Sequence, residues 1–344
     1  MTTPIRWGIL GTGNIAHQFA RGLAAVPDAV LAAVGSRSQA SADAFGDEFK
    51  VARRHATYEA LAADPGIDVV YVSSPHPMHR DNAKLCLQSG KAVLCEKPFT
   101  INAADAEDVV ATARAKKRFL MEAMWTRFQP AIVRVKQWLS EGALGEPRLV
   151  QADFGFRAGV DPKSRLFAPA LGGGALLDVG VYTVAMASLA FGPKPTRIDA
   201  QAHLGSTGVD EQTAMVLGYE GGGLALLSCA IRANTPHECR IIGTEGSILI
   251  PGFWHATKAT LTRGSATETV EMPFAGNGYN YQAVEVGRCL RAGLLESPAM
   301  TLDETLAIMR TMDAVRARIG LCYPGETAST ASSSSSLTAS GKKG

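Results

Sequence analysis

The chain has 344 residues, of which 46% are hydrophobic and 19% charged, and its formal net charge is +2. This composition is typical of a globular protein and the length suffices for about two domains. Because a near-neutral charge provides no broad basic surface, we expect a small molecule as partner, and neither nucleic acid nor an anionic membrane.

Two further features bear on location. The N-terminal stretch MTTPIRWGIL has too short an apolar run for a signal peptide, and no uncharged stretch reaches the roughly 20 apolar residues of a membrane span. The six cysteines are scattered without a CxxC pair, which suits reduced thiols. The sequence therefore predicts a cytoplasmic protein.

The first third of the chain alternates apolar, β-branched runs with alanine-rich segments compatible with helices. The runs lie at residues 5–10, 30–35, 69–73, 92–95 and 119–123. Continuous apolar runs are typical of parallel strands that helices cover on both faces. We predict a domain with a doubly wound parallel sheet over residues 1–124.

From about residue 125 the pattern changes. A helix is predicted at 130–141, a strand at 148–156 and a long apolar helix at 174–191, followed by strands at 198–203, 213–219, 224–231, 238–243, 247–250 and 259–262 and by two closing helices. Short connections between consecutive strands favour antiparallel pairing. We predict an α+β domain over residues 125–326 with an open, mainly antiparallel sheet, and a disordered, serine-rich tail over residues 327–344. The free face of the sheet would join subunits into a homodimer or a higher homo-oligomer.

The motif GTGNIA at residues 11–16 directly follows the first strand and opens the first helical segment. Its spacing fits GxGxxG/A: Gly11 permits a tight turn, Gly13 lets the backbone approach a pyrophosphate, and Ala16 allows close packing. A glycine-rich turn alone can be only a turn, but here it stands at the first junction of a βα series. We expect a dinucleotide to contact Gly11, Thr12, Gly13, Asn14 and Ile15.

The residues that distinguish NAD from NADP are expected at the end of the second strand. A ribose 2′-hydroxyl is usually held by an acidic residue about 20 residues beyond the glycines, whereas a 2′-phosphate calls for arginine. Here the acid is absent and Ser36, Arg37 and Ser38 stand in its place. A guanidinium and two hydroxyls suit phosphate oxygens. The sequence therefore predicts NADP rather than NAD, although an exposed arginine on a turn is also common.

Lys97 stands where the apolar strand 92–95 ends in CEKP. Ligands of open α/β sheets bind beyond the carboxyl ends of the strands, so Lys97 is expected to face the nicotinamide. The residues that follow neighbouring strand ends belong to the same edge of the sheet. We expect Ser74, His76, His79 and Glu96 near the cofactor. The two histidines lack a third ligand at suitable spacing, so no metal site is predicted.

These motifs, with GGGALLDVGVYTV at residues 172–184, resemble those of the Gfo/Idh/MocA oxidoreductases over essentially residues 4–323. The stretches LCEKP, LMEAMWTRFQP and GGALLDVGVY look like those of its dimeric dihydrodiol dehydrogenases and NADP-dependent D-xylose dehydrogenases. The resemblance implies a Rossmann domain, a C-terminal open-sheet domain used for dimerisation, and a nicotinamide-dependent redox step on an alcohol or carbonyl.

The usual family pattern adds Asp-x-x-x-His to the lysine. Here Asp178 is followed by Tyr182, and spacing i, i+4 places both on one helical face. A phenol with a pKa near 10 would need neighbouring cations to lower its pKa. We expect Lys97 and Tyr182 to share the proton on the reacting oxygen and Asp178 to hold them in register; a tyrosine packed in the core is the competing interpretation of Tyr182.

Aromatic residues suggest the substrate pocket, since they suit the apolar faces of sugars or cyclic diols. The expected substrate contacts are Trp125, Arg127, Phe154, Trp254 and Tyr279, whereas Phe156 is expected in core packing. Two alternatives stay open: an anhydro-sugar or ketose reductase of the same family, and a non-catalytic NADP-binding sensor, which would have no need of Lys97, Asp178 and Tyr182 together.

Overall fold

The N-terminal half contains a parallel sheet with helices along its connections. The computed structural model describes residues 3–326, so the predicted tail lies outside the described residues. The elements are β1 (Ile5–Leu10), α1 (Asn14–Leu23), β2 (Ala29–Gly35), α2 (Gln39–Phe49), β3 (Arg53–His55), α3 (Tyr58–Ala63), β4 (Val69–Val72), α4 (His79–Gln88), β5 (Ala92–Glu96), α5 (Ala103–Lys116) and β6 (Leu120–Ala123). The strand order is β3-β2-β1-β4-β5-β6, which confirms the predicted Rossmann sheet.

Strands β4, β5 and β6 are mostly apolar because helices cover both faces of the sheet there. Every residue of β4, β5 and β6 is buried, as expected for parallel strands between helix layers. The sequence prediction missed β3, whose three residues RRH are polar and lie at the sheet edge. Its pairing with β2 rests on backbone hydrogen bonds rather than on an apolar pattern.

The second half is built around an eight-stranded sheet. Its elements are α6 (Pro130–Ser140), β7 (Pro147–Gly155), α7 (Val181–Phe191), β8 (Arg197–Leu204), β9 (Asp210–Gly218), β10 (Leu224–Ala230), β11 (Glu238–Gly243), β12 (Ser247–Pro251), β13 (Lys258–Arg263), β14 (Ala266–Glu271), α8 (Asn280–Arg291) and α9 (Leu302–Ile319). The order is β14-β13-β12-β11-β7-β10-β9-β8. All pairs are antiparallel except β7 with β10, so the mainly antiparallel sheet is confirmed.

The predicted helix at 174–191 is not uniform. A π-helical turn spans Leu176–Gly180 and α7 continues from Val181. By length and hydropathy the segment Pro169–Phe191 could cross a membrane, but 83% of its window is buried inside the protein. It is thus a core element that packs on β7 and β10.

The two closing helices return to the Rossmann domain. Helix α9 packs against α5 and β6, and α8 packs against α1. The buried apolar residues of both halves consequently form one continuous core cluster. This arrangement brings the carboxyl edge of the parallel sheet opposite the start of α7.

Candidate active site

A continuous cavity of about 950 Å³ lies between the two halves. Many of its lining residues directly follow β1, β2, β4 and β5, so the cavity occupies the carboxyl edge of the parallel sheet, where ligands of open α/β sheets bind. All residues expected at the cofactor line it: Gly11, Thr12, Gly13, Asn14, Ile15, Ser36, Arg37, Ser38, Ser74, His76, His79, Glu96 and Lys97.

The β1–α1 turn leaves room for a pyrophosphate. Gly11 has a φ of +103°, and a Cβ there would lie 3.1 Å from the Ser73 hydroxyl. A Cβ on Gly13, in contrast, would meet nothing within 4 Å, so the backbone N–H groups at the start of α1 are open to the cavity. A helix N-terminus with exposed donors suits an anion. The turn therefore fits a dinucleotide pyrophosphate.

Near the β2–α2 junction the cavity is lined by hydroxyl groups and one guanidinium. The Thr12 Oγ1 lies 3.2 Å from the Ser36 Oγ, and the Ser38 Oγ accepts the Ser41 N–H as the N-cap of α2. Arg37 is exposed and lines the cavity beside Tyr58. These donors fit a ribose that bears a phosphate.

Lys97 and Asp178 are in direct contact. The Lys97 Nζ donates to the backbone carbonyl oxygen of Asp178 at 2.7 Å and lies 3.7 Å from the Asp178 Oδ1. It also lies 4.8 Å from the centroid of the Tyr182 ring. The structure thus brings the three expected catalytic residues together, with the ammonium over the face of the phenol.

The two acidic groups of this trio have opposite pKa shifts. Burial opposes ionisation of Asp178, but the charges of Lys97 and Arg165 outweigh it and lower the pKa to about 2. Burial raises the pKa of Tyr182 well above its usual range, and Tyr279 and Glu96 raise it further. Asp178 is an anion and Tyr182 a neutral phenol near pH 7.

The π-helical turn that carries Asp178 has its own buried support. The Asp210 Oδ2 accepts the Leu176 N–H at 2.8 Å and the Thr213 hydroxyl at 2.7 Å. Gly174 has a φ of +118°, and a Cβ there would lie 2.2 Å from the Asp210 Oδ1. A π turn is an irregularity often found at functional sites, and here Asp210 holds its first N–H.

Glu96 and the two histidines line the middle of the cavity. The Tyr71 hydroxyl donates to one oxygen of Glu96, and the Lys97 N–H donates to the other at 3.1 Å. Burial lowers the pKa of His76 to about 3 and also lowers that of His79. The ring nitrogens of His79 lie 2.9 and 2.7 Å from the carbonyl oxygens of Pro98 and Ser74, so this residue braces the turn after β5.

Aromatic side chains line the cavity beside Tyr182, whose ring lies 5.5 Å from that of Phe154. Phe154, Phe156, Trp254 and Tyr279 line it, and the rings of Phe154 and Trp254 stack at 5.1 Å. The Trp254 carbonyl accepts hydrogen bonds from Thr126 and Gln129, which fix its loop. Phe156, expected only in core packing, is thus a lining residue.

Two expected substrate residues lie elsewhere. Arg127 does not line the cavity: its guanidinium is buried and donates to Glu304 at 2.5 Å and to the Ala185 carbonyl at 2.8 Å. An unpaired buried guanidinium would be costly. The ion pair with Glu304 therefore explains how Arg127 can be buried away from the cavity. Trp125 lies behind the wall, where its Nε1 donates to the Tyr182 Oη at 3.0 Å.

Several lining residues were absent from the predicted site, namely Gln18, Ser41, Tyr58, Ser73, Pro75, Arg165, Leu171 and Val179. Arg165 matters most, because it is exposed at the cavity mouth and contacts the Asp178 Oδ1 at 2.8 Å. It lies in the loop after β7, where no periodic pattern distinguishes it from other surface arginines. Within residues 3–326 no group of three or more His, Cys, Asp or Glu side chains could hold a metal ion.

Comparison with known proteins agrees with this geometry. Residues 5–124 match an oxidoreductase family with an NAD-binding Rossmann fold, and residues 132–249 match the GFO/IDH/MocA C-terminal domain. The chain is 39% identical over 329 residues to a trans-1,2-dihydrobenzene-1,2-diol dehydrogenase of Xenopus laevis, covering 93% of this chain and 99% of the relative. The corresponding mouse protein is 37% identical over 331 residues, covering 93% and 98%.

Solved structures show the same architecture. An aldose-aldose oxidoreductase from Caulobacter crescentus, crystallised with glycerol, superposes with a TM-score of 0.84 at 26% identity, covering 92% of this chain and 97% of the other. A 3-ketoreductase from Actinomadura kijaniata in complex with NADP and TDP-benzene superposes with a TM-score of 0.81 at 27% identity, covering 92% and 98%. The chain therefore belongs to the GFO/IDH/MocA family of oxidoreductases.

Proposed function

We propose that this protein is an NADP(H)-dependent dehydrogenase that oxidises one CH–OH of a vicinal cyclic diol, of the trans-dihydrodiol type, and catalyses the reverse reduction. The observation that carries the proposal is the juxtaposition of charged and aromatic groups in one cavity. Lys97, Asp178 and Tyr182 lie together, and the Phe154 ring, 5.5 Å from the Tyr182 ring, begins a set of aromatic lining residues beside them. Such a site fits a ring with hydroxyls on one edge and an apolar face, whereas an aldopyranose carries hydroxyls around its rim.

NADP is proposed over NAD because of the β2–α2 junction. Arg37 and the hydroxyls of Ser36 and Ser38 line the cavity there, and neither residue 36, 37 nor 38 is acidic. The 3-ketoreductase relative was crystallised with NADP, which supports the same choice.

In the proposed mechanism a bound nicotinamide supplies or accepts the hydride. Tyr182, neutral near pH 7, donates its proton to the carbonyl oxygen during reduction. In oxidation Tyr182 must first lose that proton, and its phenolate then takes the proton of the substrate hydroxyl. The Lys97 ammonium places a positive charge near the oxygen on which negative charge develops. Asp178 stays ionised and holds Lys97 through both its carboxylate and its backbone carbonyl.

The test is nicotinamide absorbance in both directions with a panel of trans-cyclic diols, aldopyranoses and anhydro-ketoses. We expect a higher kcat/KM with the diols than with the sugars. Lys97→Met and Tyr182→Phe should each lower turnover by about 10²- to 10⁴-fold, the usual contribution of acid–base catalysis. Lys84→Met and Tyr219→Phe are matched controls, since neither residue lines the cavity. Tight NADPH binding without turnover on any substrate would instead favour the sensor.

We also propose that the chain forms a homodimer, or a higher homo-oligomer, through the eight-stranded sheet, and that it works in the cytoplasm. The sheet face opposite α7 exposes Val216, Leu224 and Leu226 on adjacent strands, each more than 40% exposed. Val216 and Leu226 are cross-strand partners, so they form a contiguous apolar patch suited to a second copy. Six free cysteines suit a reducing compartment.

A further inference from the structure

The hydroxyl of Tyr182 is already engaged before any substrate enters. The Trp125 Nε1 donates to the Tyr182 Oη at 3.0 Å. Trp125 is 4% exposed, and its ring stacks on Tyr279 with centroids 4.2 Å apart and planes 3° apart. Packing therefore fixes the direction of the indole N–H.

This hydrogen bond has only one possible polarity. An indole N–H donates and cannot accept, so the oxygen of Tyr182 is the acceptor and its own hydrogen is free for another partner. When that proton leaves, the N–H is already aimed at the oxygen that gains negative charge. Hydrogen bonds to a charged acceptor are stronger than neutral ones.

The other ionisable groups that the structure describes around Tyr182 do not donate a hydrogen bond to its hydroxyl oxygen. They are the Lys97 ammonium over its ring, the carboxylates of Glu96 and Asp178, and the phenols of Tyr71 and Tyr279. The carboxylates oppose a phenolate, and the ammonium lies over the ring face at 4.8 Å from the centroid. Among residues 3–326, the indole of Trp125 is the one hydrogen-bond partner of the Tyr182 hydroxyl.

We propose that Trp125 is a positioning residue for proton transfer, and that its indole N–H stabilises the phenolate of Tyr182. In reduction, hydride reaches the carbonyl carbon, the Tyr182 proton moves to the carbonyl oxygen, and the negative charge stays on the Tyr182 oxygen beneath the N–H. In oxidation the phenolate would take the hydroxyl proton, and the hydride that leaves the carbon would pass to the oxidised nicotinamide. The inference rests on the proposed function.

The experiment is the pH profile of kcat/KM for diol oxidation at saturating NADP, from pH 6 to 11, in wild type and Trp125→Phe. The positive charge of the oxidised nicotinamide would lower the raised pKa of Tyr182 towards this range. Losing one hydrogen bond to a charged acceptor should move the pH at which the rate levels off upward by about 1–2 pH units. The variant should be about 10- to 100-fold slower at pH 7 and approach wild type above the new plateau. If Trp125 merely contacted substrate, KM would rise equally at every pH, and that result would overturn the inference.

Trp254→Phe is the matched control. Trp254 lines the cavity, but its buried Nε1 finds no acceptor within the described residues. Its substitution should change KM without moving the pH profile; an equal pH shift in both variants would also refute the role of Trp125. Thermal melting and the NADPH dissociation constant of Trp125→Phe check that the variant is folded and binds cofactor.

A second comparison separates the two proposals. If Tyr182→Phe keeps wild-type turnover, the proposed function fails and the inference fails with it. If Tyr182→Phe is inactive while Trp125→Phe leaves the pH profile unmoved, only the inference fails. Should Trp125→Phe be unstable, 5-fluorotryptophan labelling gives the same test, since a changed N–H donor strength should shift the plateau and leave packing intact.

Discussion

Replacing Asp178 by Asn should destabilise the protein in a manner that depends on pH. The substitution keeps the shape of the side chain and removes its charge. In the native protein that charge is buried between the Lys97 ammonium, 3.7 Å away, and the Arg165 guanidinium, 2.8 Å away. Both cations favour the ionised form, so native Asp178 stays charged where an ordinary aspartate would take up a proton.

The size of this destabilisation follows from the pKa shift of Asp178. The pKa of Asp178 falls from an ordinary value of 3.8 to about 2, and one pKa unit corresponds to about 1.36 kcal/mol. Asp178 thus contributes about 2–3 kcal/mol to the free energy of unfolding. Because its pKa is depressed on folding, this contribution is full at neutral pH, falls to roughly half near pH 3, and vanishes as pH drops through the native pKa.

The assay is urea denaturation of wild type and Asp178→Asn at several pH values between 3 and 7. The stability difference should be about 2–3 kcal/mol at pH 7 and should shrink below pH 4. The control is Asp199→Asn, whose ion pair with Arg197 has the same 2.8 Å distance but is exposed and should cost less than about 1 kcal/mol. A deficit that does not change with pH, or one no larger than the control's, would refute the reasoning.

Three other substitutions test separate parts of the molecule. Arg37→Ala should weaken NADPH binding about 10- to 100-fold by removing charge-assisted hydrogen bonds, and fluorescence titration should show NADH binding unchanged; an equal loss for both would contradict the assignment. Gly174→Ala should lower the melting temperature more than Gly192→Ala, because the added Cβ at Gly174 meets a carboxylate oxygen at 2.2 Å whereas Gly192, also at positive φ, faces open space and should cost only about 1–2 kcal/mol. Leu226→Asp should convert the proposed dimer to monomer in sedimentation velocity, whereas Val133→Asp, on a residue of similar exposure on α6, should not; a monomeric wild type would exclude the proposed assembly.

The regular parts of this fold could be predicted because burial and strand pattern coincide. Strands β4 and β5 are buried throughout and read as continuous apolar runs. Strands β3 and β14 were missed because most of their residues are exposed or half-buried and both lie at sheet edges. The apolar segment before α7 was predicted as plain helix, since no residue pattern distinguishes a π turn from an α turn there.

The site was predictable where chemistry follows a strand end, and less so where it depends on distant partners. Residues of the glycine-rich turn and Lys97 stand at fixed positions after strands, so topology alone brings them to one edge. Arg127 pairs with a residue 177 positions away, and nothing local indicates that partner. Whether Trp125 donates to Tyr182 depends on where its N–H points, which packing against Tyr279 decides.

The opposite shifts of Asp178 and Tyr182 divide their roles. A carboxylate with a pKa of about 2 holds almost no proton at neutral pH, so Asp178 is a poor proton carrier and a good counter-charge for Lys97. A buried phenol with a raised pKa keeps its proton, which suits a donor in reduction but makes an oxidising enzyme depend on whatever stabilises the phenolate. Within the part of the chain that the structure describes, the one hydrogen bond to that oxygen comes from Trp125. Trp125 should therefore influence whether oxidation or reduction is the faster reaction at a given pH, although it does not line the cavity and need not contact the substrate.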